Sequence, residues 1–269
     1  EHRTMSSGDP TETPRRLPAW RRRLTLALAT TNIIAGSAGY FQDFDDIAMG
    51  LPESWSLHTG ASTESLGTSG ATFSSSTQSW GNTAGGFKNF ASSTGLVSTA
   101  TATAQENSLD RALGVRQGGS LGNSDPGAAF VFNFSSLGAT LGTIELDLLM
   151  LGVQTRSTTW TIDYGIGAAP TSFTMLDTWM DPGAFGSQRI TISEDLAELS
   201  NQPEVWLRIV ALDGSTGTGN RDSIAIDNFA ITAIPEPSTY VALCGATALL
   251  FAFVRRIGRR GTADGSLTV

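Results

Sequence analysis

Hydrophobic and polar positions alternate in short stretches along the middle of the chain. The stretches are Ala129-Phe130-Val131-Phe132-Asn133-Phe134, Ile144-Glu145-Leu146-Asp147-Leu148, Trp160-Thr161-Ile162-Asp163-Tyr164, Val205-Trp206-Leu207-Arg208-Ile209 and Ile224-Ala225-Ile226-Asp227-Asn228-Phe229. A period of two marks a strand with one face buried. Turns rich in Gly, Pro or Asp separate the stretches, and no long run places apolar residues at i, i+3, i+4 and i+7, so helix is a minor component. This spacing predicts an all-β chain with a single β-sandwich domain over residues 39–234.

From about Ser54 to Thr103 the sequence is rich in Ser, Thr and Gly, which by itself suggests a stalk. Trp55, Phe73, Trp80, Phe87 and Phe90 are spaced through it, and large apolar anchors of this kind predict strands and long loops packed on the sandwich. No internal repeat and no boundary divides the body.

The two ends follow another pattern. Arg15-Arg16 and Arg21-Arg22-Arg23 precede an apolar run, Leu24 to Gly36, that closes in Gly36-Ser37-Ala38. A charged region, a short apolar region and small residues at the end are the parts of a secretory signal, so residues 1–38 read as a signal peptide with an upstream arm. At the other end, Pro235-Glu236-Pro237-Ser238 leads into an apolar stretch, 240–254, and then a basic cluster of Arg255, Arg256, Arg259 and Arg260. Fifteen residues at helical rise cover roughly 23 Å, a marginal span for a hydrocarbon core of about 30 Å that snorkelling arginines help to complete. Basic residues beyond a span stay cytoplasmic, which puts the body on the outer side, in agreement with the leader.

This tail, residues 235–260, resembles the PEP-CTERM sorting signal in the order and spacing of its three parts. The resemblance implies recognition by an exosortase, a membrane-embedded enzyme of Gram-negative envelopes. It further implies an inner-membrane-anchored precursor whose tail is removed on the way to the cell surface or an exopolysaccharide matrix. Residues 261–269 extend past the basic cluster, where such tails usually end at once.

Composition narrows the chemistry open to the body. The chain has 2 His and 1 Cys among 269 residues; His2 lies in the N-terminal arm and Cys244 in the apolar run, so His58 is the one imidazole of the body. Multi-histidine zinc sites, thiol catalysis and disulfides lack their side chains. Residues 39–239 carry seven basic against twenty-one acidic residues, a net charge of −14. Such a surface repels phosphate backbones, which excludes nucleic acid as the expected partner.

From Phe41-Gln42-Asp43-Phe44-Asp45 to Ile226-Asp227-Asn228-Phe229 the body resembles jelly-roll modules of secreted bacterial proteins. The resemblance implies that the first and last strands lie side by side, and that the module binds carbohydrate or serves as an accessory domain. It also implies a structural calcium ion between those strands, with Asp43, Asp45 and Asp227 as candidate ligands and Asp46 nearby. Calcium takes six to eight oxygens and accepts mixed carboxylate and carbonyl sets, which suits these residues. Acidic residues at strand ends are also commonly just solvated.

Three other features bear on function. Glu145 and Asp147 share a strand face at i and i+2, a spacing open to glycosidase chemistry, although it is also the usual look of a wet strand face. Gly214 to Arg221 lacks the phosphate-loop and dinucleotide spacings and leads into a strand, so it reads as a loop with Arg221 and Asp222 at its rim. Trp80 and Trp179 lie in loop-like sequence and are the candidates for stacking on sugar rings, while Trp55, Trp160 and Trp206 are open to either packing or binding. The sequence thus reads as an exported surface or matrix protein sorted by its tail, with a structural, non-catalytic body. The alternative is a carbohydrate-binding module, with a polysaccharide hydrolase behind it.

Overall fold

The computed structural model describes residues 39–118, 126–193 and 196–234. The leader (1–38), the sorting motif Pro235 to Ser238, the apolar run and the arginine cluster lie outside the described residues and stand on the sequence alone. Among the described residues no helix is long and apolar enough to cross a membrane.

The described residues form two sheets. Their strands are β1 (Tyr40–Gln42), β2 (Trp55–Thr59), β3 (Thr68–Ser69), β4 (Phe73–Gln78), β5 (Gly86–Ala91), β6 (Arg111–Arg116), β7 (Ala129–Phe134), β8 (Thr140–Gly152), β9 (Thr159–Ile166), β10 (Thr174–Met180), β11 (Gly186–Ile192), β12 (Val205–Val210) and β13 (Ser223–Ile234). One sheet runs β11-β8-β13-β6-β5-β4, with β1 added on β13; the other runs β10-β9-β12-β7-β2-β3. The expected sandwich is present, and each alternating stretch of the sequence lies within a strand. The Ser/Thr-rich segment supplies β2 to β5 and one short helix, α1 (Ala102–Glu106), capped by Thr101 Oγ1 accepting from the amide of Ala104.

β13 organises the first sheet. Its length lets β8 pair along one side while β6 and β1 pair end to end along the other, with Ile226 opposite Leu113 and Phe229 opposite Gln42. The first and last strands therefore lie side by side, as the jelly-roll resemblance implies. Between these two partners β13 carries a bulge, where Asn228 takes a positive φ of 48°. The extra residue lets Ile224, Ile226, Phe229 and Ile231 all face the core while Asp227 does not.

The core between the sheets is aromatic at its centre. Phe132 contacts Tyr40, Trp55, Phe134 and Phe229 at centroid separations of 4.4, 5.2, 5.2 and 5.3 Å. These rings come from β1, β2, β7 and β13, so one side chain joins both sheets and both ends of the fold. The outer faces are covered as well. Over the first sheet, Trp80 and Phe90 pack on Ala112, Leu149, Leu151 and Ala225. Gly114 makes this possible, because a β-carbon there would sit 2.1 Å from the Phe90 ring.

Over the second sheet the cover is held by a buried ion pair. Arg208 Nε and Nη2 donate to Asp163 Oδ1 and Oδ2 at 2.7 and 2.6 Å, and its Nη1 donates to the carbonyls of Ser62 and Ser65. Its guanidinium carbon lies 3.3 Å from the centroid of Phe173. Arg208→Met would strand the Asp163 carboxylate and release the 60–66 segment. Loss of one partner of a buried pair costs about 3–5 kcal/mol, which for this size lowers the melting temperature by roughly 10 °C. Arg208→Met with Asp163→Leu is expected to recover most of that loss; thermal melts of the three proteins check both outcomes.

Candidate functional site

The sites expected from sequence are distributed over the fold in ways that change their chemistry. Trp80 is 3% exposed, packed against Phe90 and Ala225, with its indole N–H donated to the carbonyl of Ala91 at 2.8 Å. A ring so enclosed has no face left for a sugar. Trp179 also faces inward: it sits opposite Trp160 in the β10–β9 register and packs on the core. The stacking expectation for Trp80 is therefore corrected, since burying a large aromatic in the core outweighs leaving it exposed, while Trp179 is only half-buried. Trp55 and Trp160 are buried too, and Trp206, on the outer face of its sheet, donates to the carbonyl of Gly167 at 2.9 Å.

The carboxylates expected to perform hydrolysis are likewise occupied. Arg189 on β11 reaches both, at 2.6 Å to Glu145 and 3.2 Å to Asp147, on an open strand face. They are held together by one guanidinium and do not face each other across a cleft. The geometry of a glycosidase pair is not met there.

The calcium expectation divides in two. The β1–β13 register brings the Asp43–Asp46 segment to the same end of the sheet as Asp227. Yet Asp43 Oδ1 accepts from the amide of Asp45, and Asp45 Oδ1 accepts from the amide of Arg111 at 2.9 Å. Asp227 instead accepts from Ser92 Oγ at 2.8 Å and from the amide of Asn228 at 2.7 Å. Among the described residues no three Asp, Glu, His or Cys side chains come together as a group able to hold a metal ion. The donor chemistry of Asp43, Asp45 and Asp227 suits a hard cation.

A cavity of about 290 Å³ opens on the outer face of the first sheet. Its floor is the turn at Trp80 and Gly81; Phe185 flanks it, and Ser98, Val153 and Gln154 stand at its rim. Phe185 is half-buried, with its ring centroid 5.0 Å from that of Trp80. The floor is held from below: Gln105 of α1 accepts from the amide of Trp80 at 2.8 Å, and Ser223 Oγ donates to the Trp80 carbonyl at 3.0 Å. A second cavity, also about 290 Å³, lies between edge strands β10 and β11 at Leu176, Asp177 and Thr191, and has no aromatic wall.

The rim of the Phe185 cavity is tied to a buried acid pair that sequence reading placed only at a loop edge. Asp222 Oδ1 accepts from the amide of Gln154, and Asp181 Oδ2 accepts from the amide of Thr158 at 2.8 Å. Burial, with the charge and hydrogen bond of Asp181, pushes Asp222 up to about 6. The negative charge of Asp181 disfavours ionisation of Asp222, as a like charge does. Phe185 itself was missed. Its signal was a large aromatic directly after a tight turn, Asp181-Pro182-Gly183-Ala184-Phe185.

No family model and no curated protein matches the chain. Among solved structures, the K1 cleaved adhesin domain of Lys-gingipain from Porphyromonas gingivalis W83 is 13% identical, over 73% of this chain and 99% of that one, at a TM-score of 0.41. The xylan-binding module CBM15 is 14% identical, over 75% and 99%, at 0.39. A xylan-binding domain from CBM 22 is 10% identical, over 74% and 96%, at 0.37.

One consequence concerns pH. Burial and the charges of Asp110 and Asp147 push the Asp227 carboxyl up to about 8, against the pull of Ser92 and Asn228. In the unfolded chain it titrates near ~3.9. A raised carboxyl favours the fold while protonated, so its contribution is full below that value and is lost as pH rises through about 8. Asp222 adds a smaller effect of the same sign. The melting temperature is expected to rise as pH falls from about 8.5 to about 5.5. Asp227→Asn, whose Oδ1 can still accept from the Asn228 amide and whose Nδ2 can donate to Ser92 Oγ, should melt higher than the parent at the alkaline end and lose most of that slope; equal slopes in the two proteins would refute the assignment.

Proposed function

We propose that this chain is exported and sorted to the cell surface or extracellular matrix through its C-terminal tail, with a body that binds saccharide without performing chemistry on it. The observation that carries the binding reading is the Phe185 cavity. One partly exposed aromatic wall, with amide and hydroxyl groups at the rim, is the pairing that a sugar ring uses: a flat C–H face against an apolar ring, and hydroxyls against polar groups. A cavity of this size holds one ring of a chain and leaves the rest to run over the surface. The carboxylates of β8 are bound to Arg189, which favours binding over hydrolysis.

The export reading rests on the two terminal segments. A structural matrix role is the second reading, favoured by the burial of Trp55, Trp80 and Trp160, which removes three tryptophans from any binding platform.

Co-sedimentation of the full-length chain in detergent with a panel of polysaccharides, with calcium and with a chelator, separates these readings. Depletion by a specific polysaccharide is expected. Phe185→Ala should weaken it roughly fivefold, the range for loss of one stacked ring, with little change in melting temperature. Absence of depletion under either condition would leave the structural reading. For export, the intact mass of protein recovered from the cell surface is expected to lack both terminal segments, and a full-length mass would overturn tail processing.

A further inference from the structure

Four of the seven basic residues of the body are almost wholly buried: Lys88 at 4%, Arg111 at 4%, Arg116 at 2% and Arg208 at 0% exposed. Two of them are satisfied. Arg208 has Asp163 and two carbonyls. Arg111 donates to Asn89 Oδ1 at 2.7 Å and to the carbonyls of Gln105, Ser108 and Asn89.

Lys88 and Arg116 are not satisfied in this way. Among the described residues neither has a carboxylate within ion-pair distance, and the buried stem of Lys88 ends in an Nζ that makes no hydrogen bond to them and reaches solvent. Arg116 has one long hydrogen bond, Nη1 to the carbonyl of Asn82 at 3.4 Å, and its Nη2 is buried with no partner. Lysine and arginine are rarely buried without a partner, because removing a charge from water costs several kcal/mol.

The register explains why the two cations meet. On the antiparallel β5–β6 pair, Gly86 lies opposite Arg116 and Gly114 opposite Lys88. Lys88 and Arg116 are thus diagonal neighbours on one sheet face, about 7–8 Å apart, within reach of each other's long side chains. Burial, and after it the charge of Arg116, lowers Lys88, and burial lowers Arg116. Asp222 faces Arg116 from the loop before β13, at a range that lends it field and no ion pair. Beside them there is room. Gly86 has a φ of +137°, and no atom lies within 4 Å of where its β-carbon would stand.

Two adjacent buried cations, an unpartnered guanidinium N–H and open space beside them are the parts of an anion site. The cavity lies next to it, since the turn that lines the cavity with Trp80 and Gly81 continues to Asn82, whose carbonyl touches Arg116. We propose that Lys88 and Arg116 bind a compact oxyanion, and that the saccharide of this module is an acidic one carrying a carboxylate or sulfate. The second half of that statement rests on the saccharide reading above; the first half does not. The acidic body does not prevent this, because charges beyond about 10 Å are screened at moderate salt while contacts inside the site are not.

The test uses the full-length chain in detergent, with calorimetric titration and thermal shift at constant ionic strength. The probes are sodium sulfate, sodium glucuronate and glucose. Sulfate and glucuronate are expected to bind and to raise the melting temperature, and glucose to do neither. Lys88→Met and Arg116→Met should each weaken oxyanion binding about tenfold or more. Lys88→Met is expected to melt no lower than the parent without ligand, because it removes an unpaired buried charge, and Lys88→Arg should retain binding. Arg189→Met, on an exposed face, should leave it unchanged.

Undiminished binding in both methionine variants, or no response to either oxyanion, would overturn the site. Glucuronate binding without retention on any polysaccharide would uphold the site and sink the saccharide reading. Retention on a neutral glycan, unaffected by the methionine variants, would sink the acidic-saccharide inference and leave the saccharide reading standing.

Discussion

The fold depends on the constraint that Phe132 must be surrounded. It stands on a central strand of the second sheet and is enclosed by Tyr40 of β1, Trp55 of β2 and Phe229 of β13. Aromatic rings of this size each bury large apolar area, and their mutual geometry adds to that. The first and last strands are drawn together because the ring between them has to be covered from both. The bulge at Asp227–Asn228 then follows: with Phe229 committed to the core, one extra residue must be absorbed between it and Ile226. That residue gives Asp227 its place in an acidic, water-poor corner of the sheet.

Charge is handled in two ways in this chain. Most of the acidic residues are left in water, where a net charge of −14 in the body costs little. The few cations are drawn inward, and their surroundings differ. Arg208 and Arg111 act as internal staples, tying loops and strands by their carbonyls, and each finds the acceptors it needs. Lys88 and Arg116 are packed beside glycines on the outer face of the first sheet without them. The difference lies in what folds over each: the 60–66 segment brings carbonyls to Arg208, while the turn at Trp80 brings one carbonyl to Arg116 and none to Lys88. The same turn forms the floor of the cavity, so the one face of the sandwich that carries an aromatic wall also carries the unspent positive charge.

Much of the architecture was legible in the alternation of residues, and little of the site was. Phe130, Phe132 and Phe134 point to one face by period alone, and the strands read from sequence appear where that period places them. Trp80 and Trp179 show the limit. In sequence they differ from core residues by lying in polar, loop-like surroundings, yet both are pulled into apolar contacts contributed by residues distant along the chain, Ala225 for one and Trp160 for the other. Phe185 has the same kind of local sequence and remains at a surface. Nothing local distinguishes it from Trp80.

The sequence by itself determined that the body is a two-sheet β structure, and that catalysis by thiol or clustered imidazole has no side chains in it to use. These follow from period, composition and order, which are properties of neighbouring residues. The tertiary structure alone decided which aromatics are spent on packing, that Glu145 and Asp147 belong to Arg189, that Asp181 raises Asp222, and that, among the described residues, Lys88 and Arg116 meet with no carboxylate at ion-pair distance. Each of these is a contact between strands or loops that lie well apart along the chain. Strand register and loop packing set such contacts, and no window of local sequence contains both partners.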